Sequence, residues 1–132
     1  MRVTSDASRQ KARQEGEDEW VCALFDHIDA MDTNNWVEYL SNDARFCFGN
    51  APPVAGKGAI QDGVNAFFST LSAVKHDIAE TWTPPGAVIC RGEVRYTRPD
   101  GSTLTIPFAN VFKLDGDGLI WEYLIYADTS KL

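Results

Sequence analysis

Between Val74 and Asp128 the sequence alternates like a set of strands cut by tight turns, and this stretch decides what the chain can fold into. In the run Lys75–Trp82, period two puts His76, Ile78, Glu80 and Trp82 on one side. Lys75, Asp77, Ala79 and Thr81 fall on the other. The first side is mostly apolar and carries a histidine, which is the pattern of a half-buried strand. Pro84-Pro85-Gly86 turns the chain into a second run, Ala87 to Arg98. There Val88, Cys90, Gly92, Val94 and Tyr96 share an apolar face, with Arg91, Glu93 and Arg95 opposite. Arg98-Pro99-Asp100-Gly101 sets proline where a tight turn favours it and leads into Thr103–Leu114. Leu104, Ile106, Phe108 and Phe112 are its inward residues, and Asn110 shares their parity. Asp115-Gly116-Asp117-Gly118 makes the next hairpin turn, into Leu119–Asp128. On this last run the expected inward set is Ile120, Glu122, Leu124, Tyr126 and Asp128.

The first half reads as helical. Trp20, Val21, Leu24, Phe25, Ile28 and Met31 form one stripe at helical spacing, with Asp29 at its edge beside Phe25. Asp32 and Thr33 are N-cap candidates for a short second helix carrying Trp36, Val37 and Leu40. Arg45–Phe48 reads as a short strand, and Gly56–Val74 as a further amphipathic helix with Ile60, Val64, Phe67, Phe68 and Leu71 inward. Helices followed by hairpin-linked strands make an α+β fold. The expected shape is a cone: a curved, mostly antiparallel sheet wrapped around about three helices and enclosing an apolar pocket. Residues 1–16 are polar and read as a disordered start, leaving 17–132 as one domain.

Composition narrows the partners. A net charge of −7 argues against nucleic acid or an anionic membrane, because phosphate binding needs a basic face. Cys22, Cys47 and Cys90 are widely spaced and odd in number, which suits a reducing compartment better than a disulfide framework. No run of about 18 apolar residues is present, so a soluble, cytoplasmic protein is expected. His27 and His76 have no third ligand at metal spacing, so neither a metal nor another cofactor is expected.

Several local motifs are shared with a known family. They are Asp29-Ala30-Met31-Asp32 followed by Trp36, the segment Leu40-Ser41-Asn42-Asp43-Ala44, and Gly49-Asn50 leading to Gly56-Lys57. His76, Tyr96 with Asp100-Gly101, Ile120 and Tyr126-Ala127-Asp128 continue the pattern. Through them the chain resembles the SnoaL-like branch of the nuclear transport factor 2-like superfamily, from about Glu17 to the C-terminus. That fold hosts cyclases, isomerases, dehydratases, epoxide hydrolases and non-enzymes, so the resemblance implies the fold and leaves the reaction to the site.

The resemblance also says which chemistries the residues can carry. Where ketosteroid isomerase has its carboxylate base and oxyanion donors, this sequence has Phe48, Leu24 and Asn110, and the base is gone. Limonene epoxide hydrolase would need Arg91 and Glu93 to face the pocket together with Asp128, and Phe46 and Phe48 replace its water-holding pair. Period two puts Arg91 and Glu93 outside, and burying them unpaired would cost several kcal/mol each. Scytalone dehydratase and related enzymes pair an aspartate on the first long helix with a histidine on the strand after the third helix. Asp29 and His76 fall at those places, while a second histidine of that enzyme is replaced by Tyr96.

The expected function is therefore acid/base chemistry (cyclisation, isomerisation or dehydration) on a neutral, largely apolar cyclic substrate. His76 would be the acid/base, Asp29 its orienter, Tyr96 and Asn110 polarising donors, and Asp128 a candidate at the pocket mouth. Phe46, Phe48, Trp82, Phe108 and Leu124 would wall the substrate. The alternatives are a non-catalytic ligand-binding or dimerisation module, and an epoxide hydrolase-like enzyme. An outward set of Leu119, Trp121, Tyr123 and Ile125, beside Thr103, Thr105, Ala109 and Val111, predicts a homodimer through the sheet.

Overall fold

The computed structural model describes residues 19–132; the polar stretch 1–16 lies outside the described residues. The first helix, α1, covers 19–29 of them. Its stripe is the core: Val21, Leu24, Phe25 and Ile28 are buried, and Trp20 packs edge-on against Tyr39 and Phe112. The helix stops where Met31 takes a left-handed conformation, φ 57°. The N–H groups of Met31 and Asp32 then turn back onto the carbonyls of Ile28 and His27, each at 2.9 Å, and satisfy the last turn. Asp29 is held within this closing turn.

Helix α2 (Thr33–Trp36) is capped by Asp32, whose carboxylate accepts from the Asn35 N–H. It is shorter than its stripe suggests. A 3-10 turn (Val37–Tyr39) follows, and Leu40 already belongs to strand β1 (Leu40–Phe48). β1 begins well before Arg45 because residues between Leu40 and Arg45 form an irregularity in its pairing, which hides the alternation. The two-residue strand β2 (Val54–Ala55) pairs with β1 at Arg45 and Phe46 and has no periodic signal. Helix α3 (Lys57–Phe68) ends six residues short of Val74. The Ser69 and Thr70 hydroxyls donate back to the carbonyls of Ala66 and Phe67, competing with a further turn, and Val74 is already in the sheet.

Four long strands complete the sheet: β3 (Ala73–Trp82), β4 (Ala87–Thr97), β5 (Thr103–Leu114) and β6 (Ile120–Ala127). The order is β2-β1-β6-β5-β4-β3, antiparallel throughout except where β1 runs parallel to β6. The α+β architecture is as expected. On β4 and β5 period two holds without interruption: Val88, Cys90, Val94, Tyr96, Ile106, Phe108, Asn110 and Phe112 are buried. Arg91, Glu93 and Arg95 are exposed.

Two bulges change the faces elsewhere. In β3, Ile78 pairs with Gly92 and Glu80 with Arg91, so Ala79 is an extra residue. Glu80 and Trp82 therefore leave the side of His76. Glu80 forms an ion pair with Arg91, and Trp82 is 45% exposed. Gly92 makes this possible, because a Cβ there would lie 1.9 Å from the Asp77 carbonyl oxygen. In β6, Ile120 pairs with Leu114 and Glu122 with Lys113, leaving Trp121 as the extra residue. Beyond it the parity inverts: Tyr123 is buried, Ile125 faces the cavity, and Tyr126 is exposed. The expected inward set of Leu124, Tyr126 and Asp128 is thus overturned, as is the outward placing of Tyr123 and Ile125.

Candidate active site

His76 reaches the interior from β3, the edge strand, opposite Val94. Asp29 reaches it from the last turn of α1. The two meet tightly: His76 Nδ1 lies 2.6 Å from Asp29 Oδ1, and the His76 backbone N–H donates to Asp29 Oδ2 at 3.0 Å. A carboxylate can only accept, so Nδ1 carries the proton and the Nε2 lone pair is left free for proton transfer. A carboxylate near a helix C-terminus is poorly placed with respect to the helix dipole. Here the two His76 donors, with Lys75 Nζ at 3.8 Å, compensate it. The imidazole is packed between Phe25 (4.6 Å between ring centres) and Phe108 (5.2 Å). Only 13% of the His76 side chain and 14% of the Asp29 side chain remain accessible.

His76 lines a cavity of about 220 Å³ between α3 and the concave face of the sheet. Phe46, Phe48 and Phe108 are in its wall, as expected, and so are Tyr96 and Asn110. Among the described residues no lysine or arginine lines it. Tyr96 is the diagonal neighbour of His76 across the β3–β4 pair, about 7–8 Å away by backbone. Burial pushes its phenol up to about 12, so it is a donor and not a base at neutral pH. A second recess shares Phe67 and Tyr96 and is edged by Arg98 and Leu132. The Arg98 guanidinium is engaged there by the Lys131 carbonyl at 2.9 Å.

Three expected residues lie elsewhere. Asp128 is exposed, and its carboxylate accepts from Ser130, which holds it below the usual carboxylate range. Leu124 and Trp82 lie outside the cavity wall because the β6 and β3 bulges turn them away. In their place the wall holds Trp36 and Tyr123. Trp36 could have been suspected from its place in the family-like motif after Asp32; Tyr123 carried no signal, since the bulge that turns it inward is a property of pairing. The epoxide hydrolase set is dispersed, with Arg91, Glu93 and Asp128 all exposed. Among the described residues no three His, Cys, Asp or Glu side chains gather to hold a metal ion, and no helix is long and apolar enough to cross a membrane.

The sequence profile of the SnoaL-like domain matches residues 21–123. The chain belongs to this SnoaL-like family. Solved structures with this fold include a nuclear transport factor 2-like protein of unknown function from Exiguobacterium sp. 255-15. It is 22% identical, with a TM-score of 0.71 over 83% of this chain and 98% of its own. Another is a protein of Jannaschia sp. CCS1 named as a candidate SnoaL-like polyketide cyclase, 19% identical, TM-score 0.76, covering 87% of each chain. A third is SalBIII, an epoxide hydrolase/cyclase-like enzyme with a role in pyran ring formation in the polyether salinomycin. It is 16% identical, with a TM-score of 0.75 over 89% of this SnoaL-like chain and 94% of its own. No curated protein matches the sequence.

Proposed function

We propose that this SnoaL-like domain is a cofactor-free enzyme that moves a proton at a carbon beside a carbonyl, in a cyclisation, isomerisation or dehydration of a neutral cyclic substrate. The observation that carries this is the Asp29–His76 pair, closed at 2.6 Å at the wall of an apolar cavity. Asp29 fixes the imidazole with Nε2 as the base. Tyr96, protonated and one diagonal step away, is the donor for the developing enolate oxygen. An apolar cavity of roughly 150 Å³ already takes benzene, so one of about 220 Å³ suits one or two rings. An anionic substrate would find no cation among the described residues of the wall. The SnoaL-like relatives named as cyclases support the same class. The test is α-proton exchange of indanone in deuterated buffer, followed by NMR. Catalysed exchange that disappears in His76→Ala is expected. Exchange equally fast in that variant, or none in the wild type, leaves a binding module as the reading.

We also propose a two-fold homodimer through the outer sheet face, where Trp82, Ile89, Val111, Leu124 and Cys47 occupy successive paired positions across five strands beside Trp121. An apolar row of this kind, left uncovered among the described residues, favours an interface. Sedimentation should give twice the chain mass at micromolar concentration, and Val111→Arg should halve it. A wild-type monomer refutes the proposal.

A further inference from the structure

The cavity is closed around His76 and open on its other side. Val74, Val94, Tyr96 and Phe108, which flank the histidine, are buried. In the same wall Phe48, Val54 and Phe67 are only half-buried, and Gly63 on α3 is exposed. A residue that lines a cavity and is also exposed stands at its mouth. These four are neighbours. Val54 pairs with Phe46, two residues from Phe48 on the same face of β1. The Phe48 ring stands 5.4 Å from that of Phe67, and Gly63 lies one helical turn before Phe67. The mouth is therefore a slot between α3 and the corner formed by β1 and β2.

Gly63 keeps this slot open. It sits in the interior of α3, where glycine is less stable than alanine. Its φ is not positive, so no backbone conformation calls for glycine. Neither does packing: beyond its own helix backbone, a Cβ there would meet no atom within 4 Å among the described residues. What a side chain would occupy is the slot. The slot and His76 lie towards opposite edges of the sheet. β1 and β3 are four strand spacings apart, roughly 19 Å along the curved sheet. A one- or two-ring ketone with its oxygen at Tyr96 and its α-carbon at His76 is shorter than that span, and its far side points towards Gly63.

We infer that Gly63 is a specificity-determining residue: it leaves a slot through which a chain on the ligand, carried on the side away from the carbonyl, passes out of the cavity. The inference rests on reading the cavity as the ligand site of the proposed reaction. The chain is apolar, because Phe48, Val54 and Phe67 wall the slot and their side chains offer it no polar partner. Burying its first carbons there stabilises the complex, while its end stays in solvent. The substrate class follows: a one- or two-ring ketone with an alkyl chain opposite the carbonyl. A larger side chain at position 63 would confine the protein to ring compounds without that chain.

The test is calorimetric titration of the wild-type protein with indanone, with a butylindanone carrying its chain on the six-membered ring remote from the carbonyl, and with the isomer carrying the chain on the carbon beside the carbonyl. The two isomers have the same apolar groups, so general hydrophobicity does not separate them. The remote-chain isomer is expected to bind about tenfold more tightly than indanone, since burying about two CH2 groups is worth roughly that factor, and the other isomer no more tightly than indanone. In Gly63→Leu the preference for the remote chain should fall to about onefold, and Gly63→Ala, whose methyl meets no neighbour, should keep it. Equal wild-type affinity for the remote-chain isomer and indanone overturns the inference, as does an equal gain for both isomers, a preference that survives Gly63→Leu, or failure of all three to bind. If Gly63→Leu does not fold, the wild-type isomer series decides alone. Preference for the remote chain without α-proton exchange would keep this slot and remove the proposed reaction. Exchange without preference would do the reverse.

Discussion

Asp29→Asn tests the catalytic reading through the tautomer of His76. Both carboxylate oxygens are in use, Oδ2 by the His76 backbone N–H at 3.0 Å and Oδ1 by Nδ1–H at 2.6 Å. An asparagine offers one oxygen and one NH2 group. The backbone N–H can only donate, so the amide oxygen must turn to it. The NH2 group then faces Nδ1 and can only donate as well. His76 is driven to carry its proton on Nε2, where the base was needed. A general base contributes about 10²–10⁴ in rate, or about 3–5 kcal/mol of barrier, and α-proton exchange should fall by that factor. The folded state should lose only about 1.5–3 kcal/mol, the worth of a hydrogen bond to a charged group. Nitrogen-15 spectra of the histidines, taken about two pH units above the ordinary histidine value, report the tautomer directly. The wild type should show a protonated Nδ1 at His76, and the variant a protonated Nε2. A variant that keeps Nδ1–H, or that exchanges within a few-fold of the wild type, refutes the reasoning.

Gly92→Ala should cost about 3 kcal/mol or more in a urea unfolding curve, because its Cβ would lie 1.9 Å from the Asp77 carbonyl oxygen at the β3 bulge; a loss under 1 kcal/mol would mean that the bulge relaxes freely. Arg91→Ala should change stability by about 0–1 kcal/mol, since its ion pair with Glu80 is about half exposed, and should leave α-proton exchange unchanged; abolished exchange would put Arg91 in the cavity. Burial pushes the Cys90 thiol and the Tyr96 phenol up to about 12, from 9.0 and 10.0. Both folded values exceed the unfolded ones, so this stabilisation is complete below pH 9.0 and is lost as pH climbs towards 12, where the unfolded chain has already released its protons. Denaturant midpoints measured upward from neutral pH should be flat with respect to these two groups and then fall within that window, and Tyr96→Phe should flatten the fall; a midpoint that stays level to the top of the window contradicts the burial of both groups.

The sequence alone determined the α+β class, the hairpin at Arg98–Gly101, the inward parity of β4 and β5, and the outward placing of Arg91, Glu93 and Arg95. Each of these rests on uninterrupted alternation or on turn residues whose backbone preferences are local. It also put His76 on an inward face, and resemblance to the family matched it with Asp29. The 2.6 Å closure needed the last turn of α1 and the edge strand to meet, and no periodicity measures that. The losses lie at the two bulges. Ala79 and Trp121 each add one residue to one strand of a pair, so every side chain beyond them changes face. That is why Trp82, Leu124 and Asp128 dropped out of the site and Tyr123 entered it. A bulge is a relation between two strands, and a single strand read at period two does not contain it. The buried Asn110 oxygen belongs to the same class of fact: its residue type is written in the sequence, but only packed neighbours decide that no hydrogen-bond donor among the described residues answers it.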